Sequence, residues 1–319
     1  MSKTVLGIDV GKKKLDVVLM FNQKALARKF DNSPNGFKLL AGWLASLRIS
    51  EVHACLEATG IYGEAVAEFL YKKGHRVSVV NPLRIKGYAK SDLRRNKTDP
   101  ADARTIAGFC IEKDPKLWHP PTPEVRHIQD LTRRLEALEE MLGAENNRLE
   151  ASSRTVRPSL KRIIRTLEKE IENVRQLIKE HIDNHPGLKG QSDLLQTIPG
   201  IGEKTAQILL SEIEFSHFDS ARSVAAQAGV TPGRRQSGTS LDWTRLSKIG
   251  NGRIRKALYF PAMSAIKHNE IIKTFASRLS QNGKAPMQVI CAAMRKLLHI
   301  AFGVLKYNRP FDPNLALHT

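Results

Sequence analysis

The chain has 319 residues, 41% hydrophobic and 26% charged, enough to bury a core in each of two domains. Cys55, Cys110 and Cys291 are too far apart for a disulfide framework or a zinc ribbon, and no signal-peptide core or apolar run of about 18 to 20 residues is evident, so the chain is expected in the cytoplasm without a membrane. Its 51 Lys and Arg against 32 Asp and Glu, a net +19, point to a polyanionic partner, nucleic acid first.

In chain order, TVLGIDV (4–10), LDVVLM (15–20) and ALARKF (25–30) are short apolar or alternating runs that predict a three-strand meander. A helix over 35–48, a buried strand over 51–58, a helix over 61–74 and a strand over 75–80 follow. Strands alternating with helices predict an α/β layer with a mixed sheet, and DPADARTIAGFC (99–110) reads as a further helix with Pro100 in its first turn.

KDPKLWHPPTPE (113–124) holds four prolines and marks a domain boundary. Beyond it Ile128, Leu131, Leu135, Leu138 and Leu142, then Leu160, Ile164, Leu167, Ile171, Val174 and Ile178, advance by threes and fours. They predict a coiled-coil helical arm, either an antiparallel hairpin or an intermolecular pairing. His181 and His185, at helical spacing, read as a solvated helix end. LLQTIPGIGEKTAQILLSEI (194–213) reads as a helix-hairpin-helix element, with Gly200, Gly202 and Lys204 set to grip a backbone phosphate, and further helices are expected over 219–228, 251–268, 270–281 and 286–306. Three domains result: 1–113, 114–190 and a mostly α 191–319.

Charge follows this division. Residues 1–113 carry 20 basic and 11 acidic side chains, 114–185 carry 13 of each, and 186–319 carry 18 and 8. The neutral middle is expected to be a spacer or oligomerisation arm and not a nucleic-acid surface.

Four carboxylates stand out. Asp9 ends the first strand between glycines, Glu57 ends the buried run VHACLE, and Asp99 and Asp102 share the first turn of a helix. Singly, each has an ordinary structural role as a turn residue, strand end, helix N-cap or dipole partner. Together, on a meander followed by a fourth strand and a late helix, they match how an RNase H-like nuclease core gathers carboxylates around Mg²⁺ or Mn²⁺.

The stretch GRRQSGTSLDWTRLSKIGNGRIRK (233–256) holds seven basic residues and one acidic. It reads as a basic loop gripping phosphate through Arg234, Arg235, Arg245, Lys248 and Arg253. Ser237 is preferred as a nucleophile over Thr239 and Ser240 because Gly238 permits close approach of a phosphate. Ser247 is a further phosphate contact, and Trp243 a base-stacking or core residue.

These blocks, GIDVGKKKLDVV, CLEATGIYG, NPLRIKGYAKSDLRRNKTDPADA, TIPGIGEKTA and GVTPGRRQSGTS with TRLSKIGNGRIRKALY, resemble the insertion-sequence transposases of the IS110 family over essentially the whole chain. The resemblance implies a RuvC-like domain whose DEDD metal site falls on Asp9, Glu57, Asp99 and Asp102, and a second transposase domain whose serine aligns with Ser237. It also implies a structured bridge RNA that pairs with donor and target double-stranded DNA. Tetramers, dimers of dimers, would exchange strands through a covalent 5′-phosphoserine link. A Mg²⁺-dependent endonuclease of Holliday-junction type, with water as nucleophile, and a non-enzymatic nucleic-acid binder are the other readings.

Overall fold

The computed structural model describes residues 4–22, 24–58, 60–91, 99–237 and 241–314; the side chains of 91, 99, 100, 234–237 and 241–243 lie outside the description. The chain divides into two compact units, Met1–Pro120 and Pro121–Thr319.

The first unit is built on a five-stranded sheet: β1 Val5–Val10, β2 Lys14–Phe21, β3 Lys24–Asp31, β4 His53–Glu57 and β5 Arg76–Val80, in the order β3-β2-β1-β4-β5. The first three strands form the antiparallel meander, and β4 and β5 run parallel to β1. Because side chains alternate across a strand, each strand feeds two cores. Leu6, Ile8, Leu15, Val17 and Leu19 pack on one face with α1 (Pro34–Ser46) and α2 (Ile61–Lys72), through Phe37, Leu40, Leu44, Val66 and Leu70. Ser33 caps α1 by accepting from the Gly36 amide at 3.2 Å, with Pro34 opening the first turn.

Val5 and Cys55 face the other way, against Ile106, Ala107 and Cys110 of α4 (Asp99–Lys113) and Ile85 of α3 (Pro82–Ser91). After α4 the chain returns along β5. Ser78 Oγ lies 3.0 and 2.9 Å from the carbonyl oxygens of Pro115 and Lys116, and the Trp118 amide donates to Val77 O at 2.7 Å.

In the second unit Thr122 caps α5 (Pro123–Glu150), which turns back at 151–156 into α6 (Arg157–Asp183). Ile128, Leu135, Leu138, Ile171, Val174 and Ile178 form a buried seam between these antiparallel helices, with Leu131, Leu142 and Leu167 at its margins. His181 is not solvated on both sides: its ring stacks on His127 at 4.4 Å between centroids, lies 4.2 Å from that of His185, and its Nε2 is 3.0 Å from Glu124 O. Burial is the first cause of its lowered pKa.

The remaining helices are α7 Pro186–Gln196, α8 Glu203–Glu212, α9 Ala221–Gln227, α10 Gly252–Ala257, α11 Tyr259–His268, α12 Glu270–Gln281 and α13 Pro286–Tyr307. Their core gathers Leu195, Leu209, Val224, Ile254, Leu258 and Leu298, all with no accessible surface. By length and composition α13 is apolar enough to cross a membrane, which corrects the expectation that no run reaches that length. It is the core helix of this unit, with Ala293, Leu297, Leu298 and Ala301 fully buried.

A second correction concerns the expected basic loop. Pro232–Ser237 is a strand, β6, paired antiparallel with β7, Leu241–Leu246, in the register Gly233↔Arg245 to Ser237↔Leu241. Pro, Gly and Arg conceal the strand in the sequence. What stabilises it is pairing with the alternating LDWTRL partner, a tertiary effect that outweighs its own weak propensity.

Candidate active site

The parallel register of β1 and β4 runs from Val5↔His53 to Ile8↔Leu56, so the next positions along the two strands are Asp9 and Glu57. Both are half-buried. They lie in the same side-chain rows as Gly7 and Cys55, and therefore on the sheet face that α4 covers. Asn32 ties the loop after β1 to the first turn of α2, its Nδ2 donating to Gly11 O at 2.9 Å and to Tyr62 O at 3.0 Å.

Gly7 brings α4 to this place. A Cβ on Gly7 would meet the carbonyl oxygen of Ala103 and lie 2.6 Å from the amide nitrogen of Ala107, so only glycine lets the helix backbone rest on the strand. Asp102, half-buried, immediately precedes Ala103 on that helix. Asp99 is the first residue of α4, and its side chain lies outside the described residues. The all-oxygen carboxylate donor set suits a hard divalent cation. Among the described residues, no three His, Cys, Asp or Glu side chains stand together closely enough to hold an ion.

Asp16 is the residue that sequence reading passed over. It sits directly opposite Asp9 in the β1–β2 ladder, so its side chain shares the carboxylate face, and it is buried to 8% exposure. Lys29, opposite it on β3, approaches to 2.9 Å. A single Asp inside the apolar run LDVVLM is the signal that marks it.

Behind Glu57, Cys55 and Cys110 link the sheet to α4. Their mutual hydrogen bond, then burial, holds the Cys55 thiol far above the ordinary range, and the same bond pulls Cys110 down to about 6. Both are fully buried and act as part of the strand–helix contact.

In the second unit Ser237 is the last residue of β6, and Gly238, Thr239 and Ser240 lie outside the described residues, as do the side chains of Arg234, Arg235, Ser237 and Trp243. Gly233 and Arg245 are paired across the ribbon, Arg245 is exposed, and Lys248 is exposed at a φ of 56°. Ser247 is held to Thr231, by its amide at 2.9 Å to Thr231 O and by its hydroxyl at 3.3 Å to Thr231 Oγ1.

Three further residues expected to touch phosphate have protein partners. Gly200, at φ 106°, ends the turn between α7 and α8, and a Cβ there would lie 2.7 Å from Ala265 Cβ and 2.9 Å from Pro261 O of α11. Close packing explains that glycine. Lys204 Nζ is 2.7 Å from both carboxylate oxygens of Glu139, and Arg253 lies 3.5 Å from Glu212 and 3.7 Å from Glu136. Gly202 is different: it is exposed, caps α8 with no side-chain bond, and has open space where its Cβ would be.

Residues 6–158 match a DEDD transposase family model described as transposase, and residues 192–277 match the transposase IS116/IS110/IS902 family. The chain is 36% identical over 320 residues to the pilin gene-inverting protein of Moraxella bovis, with 99% of each chain covered. It belongs to the IS110 family of transposases. The transposase for insertion sequence element IS1328 of Yersinia enterocolitica is 22% identical over 348 residues, covering 97% of this chain and 98% of its own. Among solved structures, T. thermophilus RuvC in complex with a Holliday junction substrate aligns with 36% of this transposase and 99% of its own chain, at 16% identity and a TM-score of 0.29. By its family, the IS110 transposase is an enzyme of DNA recombination, a phosphoryl-transfer reaction on DNA.

Proposed function

We propose that this transposase cuts and exchanges DNA strands with the carboxylates of an RNase H-like, RuvC-like core and with Ser237 as nucleophile. The observation that carries the reading is the placement of Asp9 and Glu57 at the ends of adjacent parallel strands, on the face where Gly7 admits the helix of Asp102. The strand order β3-β2-β1-β4-β5 supports the RNase H-like assignment.

Asp9, Glu57, Asp99 and Asp102 would hold Mg²⁺ or Mn²⁺. Such an ion, when bound, stabilises charge on the phosphodiester and on the attacking and leaving oxygens. Ser237 Oγ attacks phosphorus and gives up its proton, the bond from phosphorus to the 3′ oxygen breaks, and that oxygen takes a proton. The products are a 5′-phosphoserine link and a free 3′-hydroxyl. Reversal against the 3′-hydroxyl of a second duplex reseals the strands in new order. Arg234, Arg235, Arg245 and Lys248 line the basic ribbon and its exit, where they offset the charge that develops on the phosphate.

Family membership supports the rest of the proposal: a bridge RNA that selects donor and target duplexes, a dimer of dimers that brings one protomer's carboxylates to another's serine, and action in the cytosol. The Moraxella relatives are named for inverting a pilin gene, and strand exchange between two sites in one chromosome yields such an inversion.

With RNA copurified from its own host and candidate duplexes supplied, Ser237→Ala is expected to abolish the covalent protein–DNA adduct while binding persists. An adduct that survives removes Ser237 from the role. Free 3′-hydroxyl and 5′-phosphate ends with no trapped protein would establish the water mechanism instead. Asp102→Asn is expected to stop cleavage at unchanged Tm; a fall in Tm with cleavage retained assigns Asp102 to helix stability alone.

A further inference from the structure

The arm formed by α5 and α6 is neutral as a whole, yet its charges are sorted along its length. Residues 123–150 carry four basic and seven acidic side chains, and residues 168–183 carry three and five. The intervening stretch 151–167, the turn and the start of α6, carries Arg154, Arg157, Lys161, Arg162 and Arg165 and no acid. The acids nearer the base are in use: Glu136, Glu139 and Glu140 pair with Arg253, Lys204 and Lys256 at 3.7, 2.7 and 3.5 Å. Beyond Glu140, α5 runs ten more residues to its end, about 15 Å along the helix axis, which sets the basic turn well away from those contacts.

All five basic side chains at the turn are exposed, and among the described residues none pairs with a carboxylate; Arg157 Nε donates only to Ser152 O, at 3.4 Å. They line an open cleft of about 400 Å³ together with Pro158. Arg157, Lys161 and Arg165 recur at every fourth residue and so form one stripe. Like charges at that spacing oppose helix formation, and an arm that needed only a soluble end would intersperse acids there, as the rest of this arm does.

We propose that the turn of the α5–α6 arm is a second DNA-contacting surface, one that takes the sugar-phosphate backbone of duplex DNA outside the site of strand exchange. The stripe from Arg157 to Arg165 spans about 12 Å, too long for a single small anion. A duplex presents one charge per roughly 1.7 Å of axis, about seven over that length, which matches five cations lining an open cleft. Arginine dominates the set, the side chain whose fork fits phosphate oxygens. The surface holds no described acid and reads no bases, so it anchors a flank whatever its sequence. The proposal rests on this transposase binding duplex DNA.

The test uses the full-length protein and a 40-base-pair duplex of arbitrary sequence, with binding followed by fluorescence anisotropy from 50 to 200 mM NaCl. In the triple variant Arg157→Gln, Lys161→Gln, Arg165→Gln, three lost phosphate contacts lower the slope of log affinity against log salt by roughly 2.7. The advantage of wild type over variant therefore shrinks about 40-fold across that range. A photoreactive residue in place of Ser159, exposed in the same turn, is expected to crosslink to the duplex. An unchanged slope with no crosslink overturns the inference while leaving the strand-exchange site standing. A slope change seen with an RNA hairpin and not with the duplex overturns it in favour of RNA. Failure of the wild-type protein to bind any duplex overturns the reading on which it rests.

Discussion

Asp9 and Glu57 stand near the ends of strands that are hydrogen-bonded on both sides, β1 between β2 and β4, and β4 between β1 and β5, whereas Ser237 ends a strand with a single described partner in a two-stranded ribbon. A central strand opens only with its sheet, while a two-stranded ribbon has marginal stability of its own. The two units therefore fix their candidate chemistry to different degrees. The carboxylate face is held by backbone resting on backbone at Gly7. The serine ribbon depends on what surrounds it, and a long polyanion is the partner its charge is suited to receive.

That contrast is broken most severely at Gly7. Gly7→Ala places a methyl group against the Ala103 carbonyl and the Ala107 amide, neither of which is a flexible side-chain end. The expected cost is about 3 kcal/mol of stability in the first unit. Calorimetry of the full chain checks it: the transition assigned to the Met1–Pro120 unit falls by several degrees and the other stays in place. Equal stability of variant and wild type would show that α4 rides free of the strand.

A smaller effect belongs to the second unit alone. Burial, then the charges of Arg295, Lys296 and Arg222, depress the pKa of His299 to about 4, and its buried Nε2 has no hydrogen-bond partner among the described residues. The unfolded chain, with an ordinary pKa near 6.5, takes up a proton before the folded one does. Stability from this group is complete above pH 6.5, is lost as pH falls toward 4, and changes no further below that value. Denaturant midpoints at pH 7, 5.5 and 4.5 are expected to fall more steeply for wild type than for His299→Gln; parallel curves would refute the assignment.

The smallest effect is expected where exposed ions meet. Glu139→Gln loosens the pairs with Lys204 and Arg175, at 2.7 and 3.2 Å, and is expected to cost less than about 1 kcal/mol because all three groups are partly solvated. A loss several times larger in chemical denaturation would mean that the arm's footing is a cooperative network.

Much of this fold is legible from apolar periodicity. The meander, the strand that ends at Glu57 and the two heptad seams all follow from spacings of two or of three and four. Helix α3 was not, because Pro82 opens it and LRIKGYAKS carries too few apolar residues to show a stripe. The serine ribbon was missed for the reason given above: pairing, not propensity, makes it a strand. Gly200 is ambiguous in sequence because a tight glycine turn and a close helix packing call for the same residue. Asp16 went unnoticed since its importance lies in register with Asp9, a relation that exists only once two strands are paired. The net charge of zero over the arm leaves open where the charges stand, and residues 151–167 carry five basic side chains and no acid.

The return of the chain along β5 has a consequence for solubility. A five-stranded open sheet has two edges, each able to recruit a stray strand. At β3 the exposed Lys24, Arg28 and Lys29 discourage that by charge. At β5 the guard is the connector itself, through the carbonyls of Pro115 and Lys116 on Ser78 and the Trp118 amide on Val77. The proline-rich stretch between the units thus doubles as a seal, and cutting or lengthening it before Trp118 would expose the backbone of β5 to edge-to-edge aggregation.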